Sequence, residues 1–252
     1  RWNSSPGEGG RCNVADLLST SGLTRRFGGL LANDRIDFAL EMGALRCVIG
    51  PNGAGKTTFI SMISGHLPPS SGRISFNGID ITRFAVERRA QLGICRKFQT
   101  PSLFMNLTVA ENVELAVLAT ARAKRERRRR IEEVLKLIRL ADLREESVNA
   151  LTHGQRQWLE VGLLIAKDSV LLLLDEPTAG MTAEETRATG ALIKSLLGRM
   201  SLSIIIIEHD VKFIRDLAAP ITVLHQGRVL CEGDFATISE DSRVRDIYLG
   251  AE

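Results

Sequence analysis

At 252 residues, 44% hydrophobic and 25% charged, the chain has the length and balance of one ordinary soluble globular domain, with enough apolar residues to bury a full core. A net charge of +3 is too small to argue for a nucleic-acid partner, and the longest apolar runs, Val170–Leu174 and Ile204–Ile207, are far too short to span a bilayer. Cys12, Cys47, Cys95 and Cys231 are scattered without a C-x-x-C pair, and no apolar signal-peptide core stands near the start, so reduced thiols in a cytosolic protein are expected.

Residues 1–19 are rich in Gly, Ser and Asn and lack periodicity, which predicts a disordered tail ahead of a single domain over 20–252. The chain opens on Arg1 rather than Met, so residue 1 is not taken as the native start. Leu23 to Leu40 alternates weakly around Phe27-Gly28-Gly29, as a strand pair with a turn would. Leu45–Ile49 is an apolar strand, followed by Gly50-Pro51-Asn52-Gly53-Ala54-Gly55-Lys56-Thr57-Thr58 and then by the helical run Phe59–Ile63. Leu67-Pro68-Pro69-Ser70-Ser71-Gly72 is expected to end that helix, and Arg73–Asp80 to form a short strand with a turn at Asn77-Gly78.

From Thr108 to about Leu143 the pattern turns helical, with Ile131, Val134, Leu135 and Ile138 on one helical face. The basic run from Arg122 to Arg130 precedes them. It reads either as a solvated helix start or as a patch for phosphate-bearing headgroups or nucleic acid. Val170–Leu174 and Ser203–Ile207 lack alternation, as strands covered on both faces do. Ile221–Leu224 and Arg228–Leu230 flank His225-Gln226-Gly227 as a hairpin, and no internal repeat is visible.

Gly50 to Thr57 fits G-x-x-x-x-G-K-[ST] in a strand–loop–helix setting, a phosphate-binding loop. Glycines let successive backbone N–H groups curl around phosphate oxygens, and the helix N-terminus adds unpaired donors. Lys56 can reach the β- and γ-phosphates and the Thr57 hydroxyl can ligate Mg²⁺. The strand Val170–Leu174 ends in Asp175 and Glu176: an acid there can hold Mg²⁺ through water, and the next carboxylate is placed to take a proton from an attacking water. Ser203–Ile207 repeats the design with Glu208-His209-Asp210. A lone His is more often structural, but after a buried parallel strand His209 emerges on the edge where open α/β sheets bind ligands.

Leu151-Thr152-His153-Gly154-Gln155, upstream of Asp175, stands where ATP-binding cassette proteins carry their LSGGQ signature. Together with Phe27, Gly50–Thr58, Gln99, Asp175-Glu176 and His209, it makes the chain from about Leu23 to Leu249 resemble an ATP-binding cassette (ABC) ATPase. The resemblance implies an α/β fold: a phosphate-loop NTPase (RecA-like) core with an antiparallel β subdomain and a helical subdomain inserted at about 100–158. It implies that Phe27 stacks on adenine, Gln99 touches Mg²⁺ and the attacking water, and His209 senses the γ-phosphate. It also implies a dimer, homo- or hetero-, in which Thr152, His153, Gly154 and Gln155 serve the partner's ATP. Further expectations are transmembrane permease subunits docking near Phe98–Phe104, an external solute-binding protein, no direct nucleic acid, and a peripheral place on the cytoplasmic face of the membrane.

Arg25–Leu30, Asp175–Thr182 and Ile247–Gly250 are similar to importers of the branched-chain amino-acid type. Within that group, Leu151–Glu160 and Arg96-Lys97-Phe98-Gln99 look most like the urea transporter ATP-binding subunit, so urea or short amides are the expected cargo. Branched-chain amino-acid import, or a soluble non-transport cassette ATPase, are the alternatives. Three departures from the general cassette pattern stand out: His153 replaces the first signature glycine, Thr152 replaces serine but keeps the hydroxyl, and Thr182 stands where an aspartate is usual. His153 near a γ-phosphate would make turnover pH-sensitive; an imidazole in solvent or in packing is the plainer reading.

Overall fold

Glycines punctuate the first third of the chain. Gly28, at φ 56, turns the chain between β1 (Asp16–Phe27) and β2 (Leu30–Glu41), which pair antiparallel. The structure is a computed structural model that describes residues 16–97, 103–120, 123–199 and 202–249. β1 therefore begins inside the stretch read as a tail. Asp16 pairs with Glu41 and Leu18 with Leu40, and Leu17 and Leu18 are buried. That pairing is non-local, and local composition carries no sign of it.

β3 (Leu45–Ile49) leads through the glycine-rich loop into α1 (Lys56–Ser64). The helix stops before the Leu67–Gly72 stretch expected to end it, because Gly65 takes the left-handed conformation (φ 86) and donates to Met62 O. The buried Arg89 reinforces this end: its guanidinium donates to Met62 O at 2.6 Å and to Ile63 O at 2.7 Å. β4 (Ser71–Phe76) and β5 (Ile79–Asp80) form the expected hairpin, with Asn77 and Gly78 both at positive φ. α2 (Val86–Gln91) then feeds β6 (Ile94–Lys97).

Helices follow: α3 (Val109–Leu118), started by a capping box between Thr108 and Glu111, α4 (Lys124–Leu137), and α5 (His153–Ala166). Val134, Leu135 and Ile138 are buried as the periodicity predicted. The basic run opens α4 with Lys124, Arg125, Arg128 and Arg129 exposed. Arg130 turns inward, donating to Ile165 O and pairing with Glu133 and Asp168. The rest alternates again: β7 (Leu171–Asp175), α6 (Ala183–Arg199), β8 (Ser203–Ile207), α7 (Val211–Leu217), the hairpin β9 (Ile221–His225) and β10 (Arg228–Gly233), then α8 (Phe235–Glu240) and α9 (Ser242–Leu249).

Two sheets result among the described residues. One is antiparallel, in the order β2-β1-β4-β5. The other runs β10-β9-β3-β8-β7-β6, with β6, β7, β8, β3 and β9 parallel and β10 antiparallel at the edge. Every residue of β7 and β8 is buried, and alternate residues serve two separate cores. Leu171, Leu173, Ile205 and Ile207 pack with α1 and the antiparallel sheet. Leu172, Leu174, Ile204 and Ile206 pack with the helices from α3 to α7. Each such side chain contributes about 1.5–3 kcal/mol through burial, which fixes the register and so the position of the strand ends. This is an α/β phosphate-loop core with an antiparallel β subdomain and an inserted helical one. No described helix is long and apolar enough to cross a membrane.

Candidate functional site

After Ile49 the chain curls through Gly50–Gly55, and two positions in the curl admit only glycine. A Cβ on Gly50 would lie 2.2 Å from Leu224 O, and one on Gly55 (φ 98) 2.4 Å from Ala32 O. Asn33 Nδ2 donates to Gly55 O and Gly227 N to Ala54 O, so β2 and the β9–β10 turn brace the loop from outside. Lys56, the first residue of α1, folds back so that Nζ donates to Gly50 O at 2.6 Å and Pro51 O at 3.0 Å. Burial pushes its pKa down, and Glu176 and Asp175 oppose the shift.

The loop borders an open cleft of about 550 Å³. Asn52, Gly53, Ala54, Gly55, Lys56, Thr57 and Thr58 line one side; Phe27, Leu30 and Leu31 line another; Glu176 and Gln226 complete it. Phe27 is exposed, and the Arg25 guanidinium stacks on one face of its ring at 4.6 Å from the centroid. A further hollow of about 430 Å³ between α6 and α7 has none of these loop residues in its wall.

The parallel register of β7 and β8 sets Asp175 beside Ile207, so the residues that follow meet at one edge of the sheet. Asp175 is buried, and its Oδ2 accepts from Arg96 Nη2 at 3.1 Å, while Arg96 Nη1 donates to Ser61 Oγ of α1. Burial raises the Asp175 pKa, with Arg96 opposing. Glu176 holds φ 47, a strained conformation for a non-glycine residue, and its N–H donates to Ile207 O. Its Oε1 lies 3.5 Å from His209 Nδ1. Glu208 is buried and accepts from Thr178 N, Thr178 Oγ1 and His209 N, which ties the turn after β7 to the end of β8. Gln99 and Phe98 lie outside the described residues; Phe104, at the end of the expected docking stretch, is exposed.

Thr152, His153, Gly154 and Gln155 do not line this cleft. They form the N-terminus of α5, where Thr152 and Gln155 make a capping box. The Thr152 hydroxyl and the Gly154 N–H both donate to Glu185 Oε1. His153 Nε2 lies 3.0 Å from Ala179 O. A carbonyl only accepts, so this contact needs the proton on Nε2; Gln157 Nε2 lies 3.4 Å from the same nitrogen, and the His153 side chain is exposed beside the turn after β7. Arg96, Glu208, Glu185 and Arg89 were not singled out from sequence. Each acts through a partner distant in the chain, so spacing carried no signal.

The chain has counterparts among known proteins. Residues 33–179 match the family described as ABC transporter. The chain belongs to the ABC transporter family. As an ABC cassette it binds ATP and is an ATPase. It is 32% identical over 249 residues to the high-affinity branched-chain amino acid transport ATP-binding protein BraF of Pseudomonas aeruginosa, covering 93% of this chain and 98% of that protein. It is 33% identical to the probable branched-chain amino acid transport ATP-binding protein LivG of Archaeoglobus fulgidus, covering 94% and 96%. Among solved structures, the cassette resembles the ADP conformation of MJ1267, an ATP-binding cassette of an ABC transporter, with TM-score 0.84, 25% identity and coverage of 94% and 100%. It also resembles cbiO1 from Clostridium perfringens, part of an ABC transporter complex, with TM-score 0.84 and 26% identity over 93% and 95%.

Proposed function

We propose that this cassette is the ATP-hydrolysing subunit of an importer, and that branched-chain amino acids are its cargo class. The observation that carries the reading is the end-to-end match to BraF, with no large part of either chain left over. The resemblance of Leu151–Glu160 and Arg96–Gln99 to the urea transporter ATP-binding subunit puts urea or short amides first. That reading now stands second, supported by the Leu151–Glu160 stretch with His153 at the first signature glycine.

In the proposed cycle, adenine lies along Phe27 and the phosphates lie in the loop from Gly50 to Thr58, with Lys56 as the point charge. The Asp175 carboxylate and Thr57 hydroxyl are hard oxygen donors suited to Mg²⁺, and a dication beside buried Asp175 would favour its ionised form. Bound Mg²⁺ would neutralise charge on the β- and γ-oxygens. Glu176 takes the proton of the attacking water, His209 orients against the γ-phosphate, and Gln99 contributes at the metal. Thr152, His153, Gly154 and Gln155 face the ATP of a second cassette, and permease subunits hold the pair at the cytoplasmic side of the membrane, served by an external solute-binding protein.

Uptake of labelled leucine and labelled urea, measured in source cells carrying Lys56→Ala at the native locus, tests the cargo. Loss of leucine uptake with urea intact supports the proposal. Loss of urea uptake alone restores the second reading, and no change in either removes both.

A further inference from the structure

The signature turn holds an anion that belongs to its own chain. Glu185, in the first turn of α6, accepts from the Thr152 hydroxyl at 2.9 Å and the Gly154 N–H at 3.1 Å through Oε1. Its Oε2 accepts from the Thr182 N–H at 3.0 Å and the Thr182 hydroxyl at 3.1 Å. These donors, the Thr182 N–H first, hold the carboxyl down to about 2. Gly154 makes the approach possible, since a Cβ there would lie 2.9 Å from Oε1. A hydroxyl and an N–H converging on one oxygen at the start of a 14-residue helix form an oxyanion pocket, and the oxyanion in it is Glu185.

We propose that Glu185 is a resident anion of the signature turn, which the γ-phosphate of ATP bound to a second copy of this chain displaces when the two cassettes close. The inference rests on the reading of Thr152 and Gly154 as donors to the opposite ATP. The Thr152 hydroxyl has one proton and the Gly154 amide has one, so a carboxylate and a phosphate cannot both be served. Two anions brought to the same donors also repel. Thr182 gives the carboxylate somewhere to remain: its N–H and hydroxyl bind Oε2, on the side of Glu185 away from the signature. An aspartate at 182 would set a second carboxylate against Glu185. The departure from the family pattern at this position thus goes with the internal anion. Closure of this cassette is an exchange of one anion for another, and the carboxylate sets the ATP concentration at which it occurs.

Static light scattering on the hydrolysis-impaired Glu176→Gln chain, titrated with ATP and Mg²⁺, measures closure directly. Adding Glu185→Gln keeps the shape and removes the charge; the half-maximal ATP concentration for dimer formation is expected to fall about tenfold, the worth of one charge-assisted hydrogen bond. Thr182→Ala, which removes the hydroxyl that holds the displaced carboxylate, is expected to shift it the opposite way, by less. An unchanged or raised ATP requirement in Glu185→Gln overturns the proposal and makes Glu185 a support of the signature. A Glu176→Gln parent that binds ATP yet stays monomeric overturns the opposite-subunit reading, and the proposal with it.

Discussion

The phosphate loop and the signature turn both offer backbone donors at the start of a helix, yet they are finished to different degrees. The loop is braced by β2, by the β9–β10 turn and by its own lysine, and its cleft opens toward Glu176. The signature turn lies away from that cleft, with its donors already taken by Glu185 and His153 resting on Ala179. One site is built by a single chain. The other is closed off within that chain, and its proposed use begins only when a second copy arrives.

The largest expected effect falls on the loop side. Glu176→Gln is expected to cut turnover by about 10²–10⁴-fold, the usual worth of a positioned base, while nucleotide binding persists. Phosphate release read beside equilibrium ATP binding checks this, and a normal rate would remove Glu176 from the base role. Next comes the tie between the two regions. Arg96 and its neighbour Lys97 on β6 point to opposite faces: Arg96 to Asp175, Lys97 to Glu160 of α5 at 3.1 Å, both ends of the latter pair buried. Glu160→Gln takes away the carboxylate facing a buried ammonium and is expected to cost about 3–5 kcal/mol in denaturant unfolding.

Glycine substitutions sharpen the contrast further. Gly55→Ala forces a Cβ against the fixed backbone of Ala32 at positive φ, for about 1–3 kcal/mol and a loss of ATP binding. Gly154→Ala meets only the flexible end of Glu185 within a helix, where alanine gains about 1 kcal/mol in propensity, so its stability is expected to change little. Equal losses at both positions would show that the signature turn is as rigid as the loop. The smallest effect is one of pH. Glu185 has its carboxyl lowered from 4.5 to about 2 on folding, so its contribution to stability is fully present above pH 4.5. It fades as pH falls toward 2, where the folded state also takes up the proton. Unfolding of wild type and Glu185→Gln should therefore differ above pH 4.5 and converge below it; a gap that persists at pH 2 would assign the effect to packing.

Where residues near in sequence build an element, the sequence is legible. Gly50–Thr58, Asp175-Glu176 and the fully buried strands β7 and β8 needed only local pattern, because strand, turn and helix are consecutive. The start of β1 was misread as tail, because Asp16–Ser19 gain their order from pairing with β2 and β4. Pro68-Pro69 looked like the stop of α1, but the stop is Gly65 with Arg89 reaching across from α2. For His153 the sequence leaves a phosphate contact, solvent or packing open; the structure sets the exposed ring against the Ala179 carbonyl, a neighbour that sequence spacing does not show.

The sequence by itself determined the runs from which the proposed nucleotide site is built, since the loop, the paired acids and the signature are each short and contiguous. Tertiary structure decided what each of those runs faces. The register of β7 against β8 set Glu176 beside His209, β6 directed Arg96 to Asp175 and Lys97 to Glu160, and the start of α6 brought Glu185 to the signature. Those partners lie tens of residues apart, and only the burial of two cores on either side of one sheet brings them within hydrogen-bond reach.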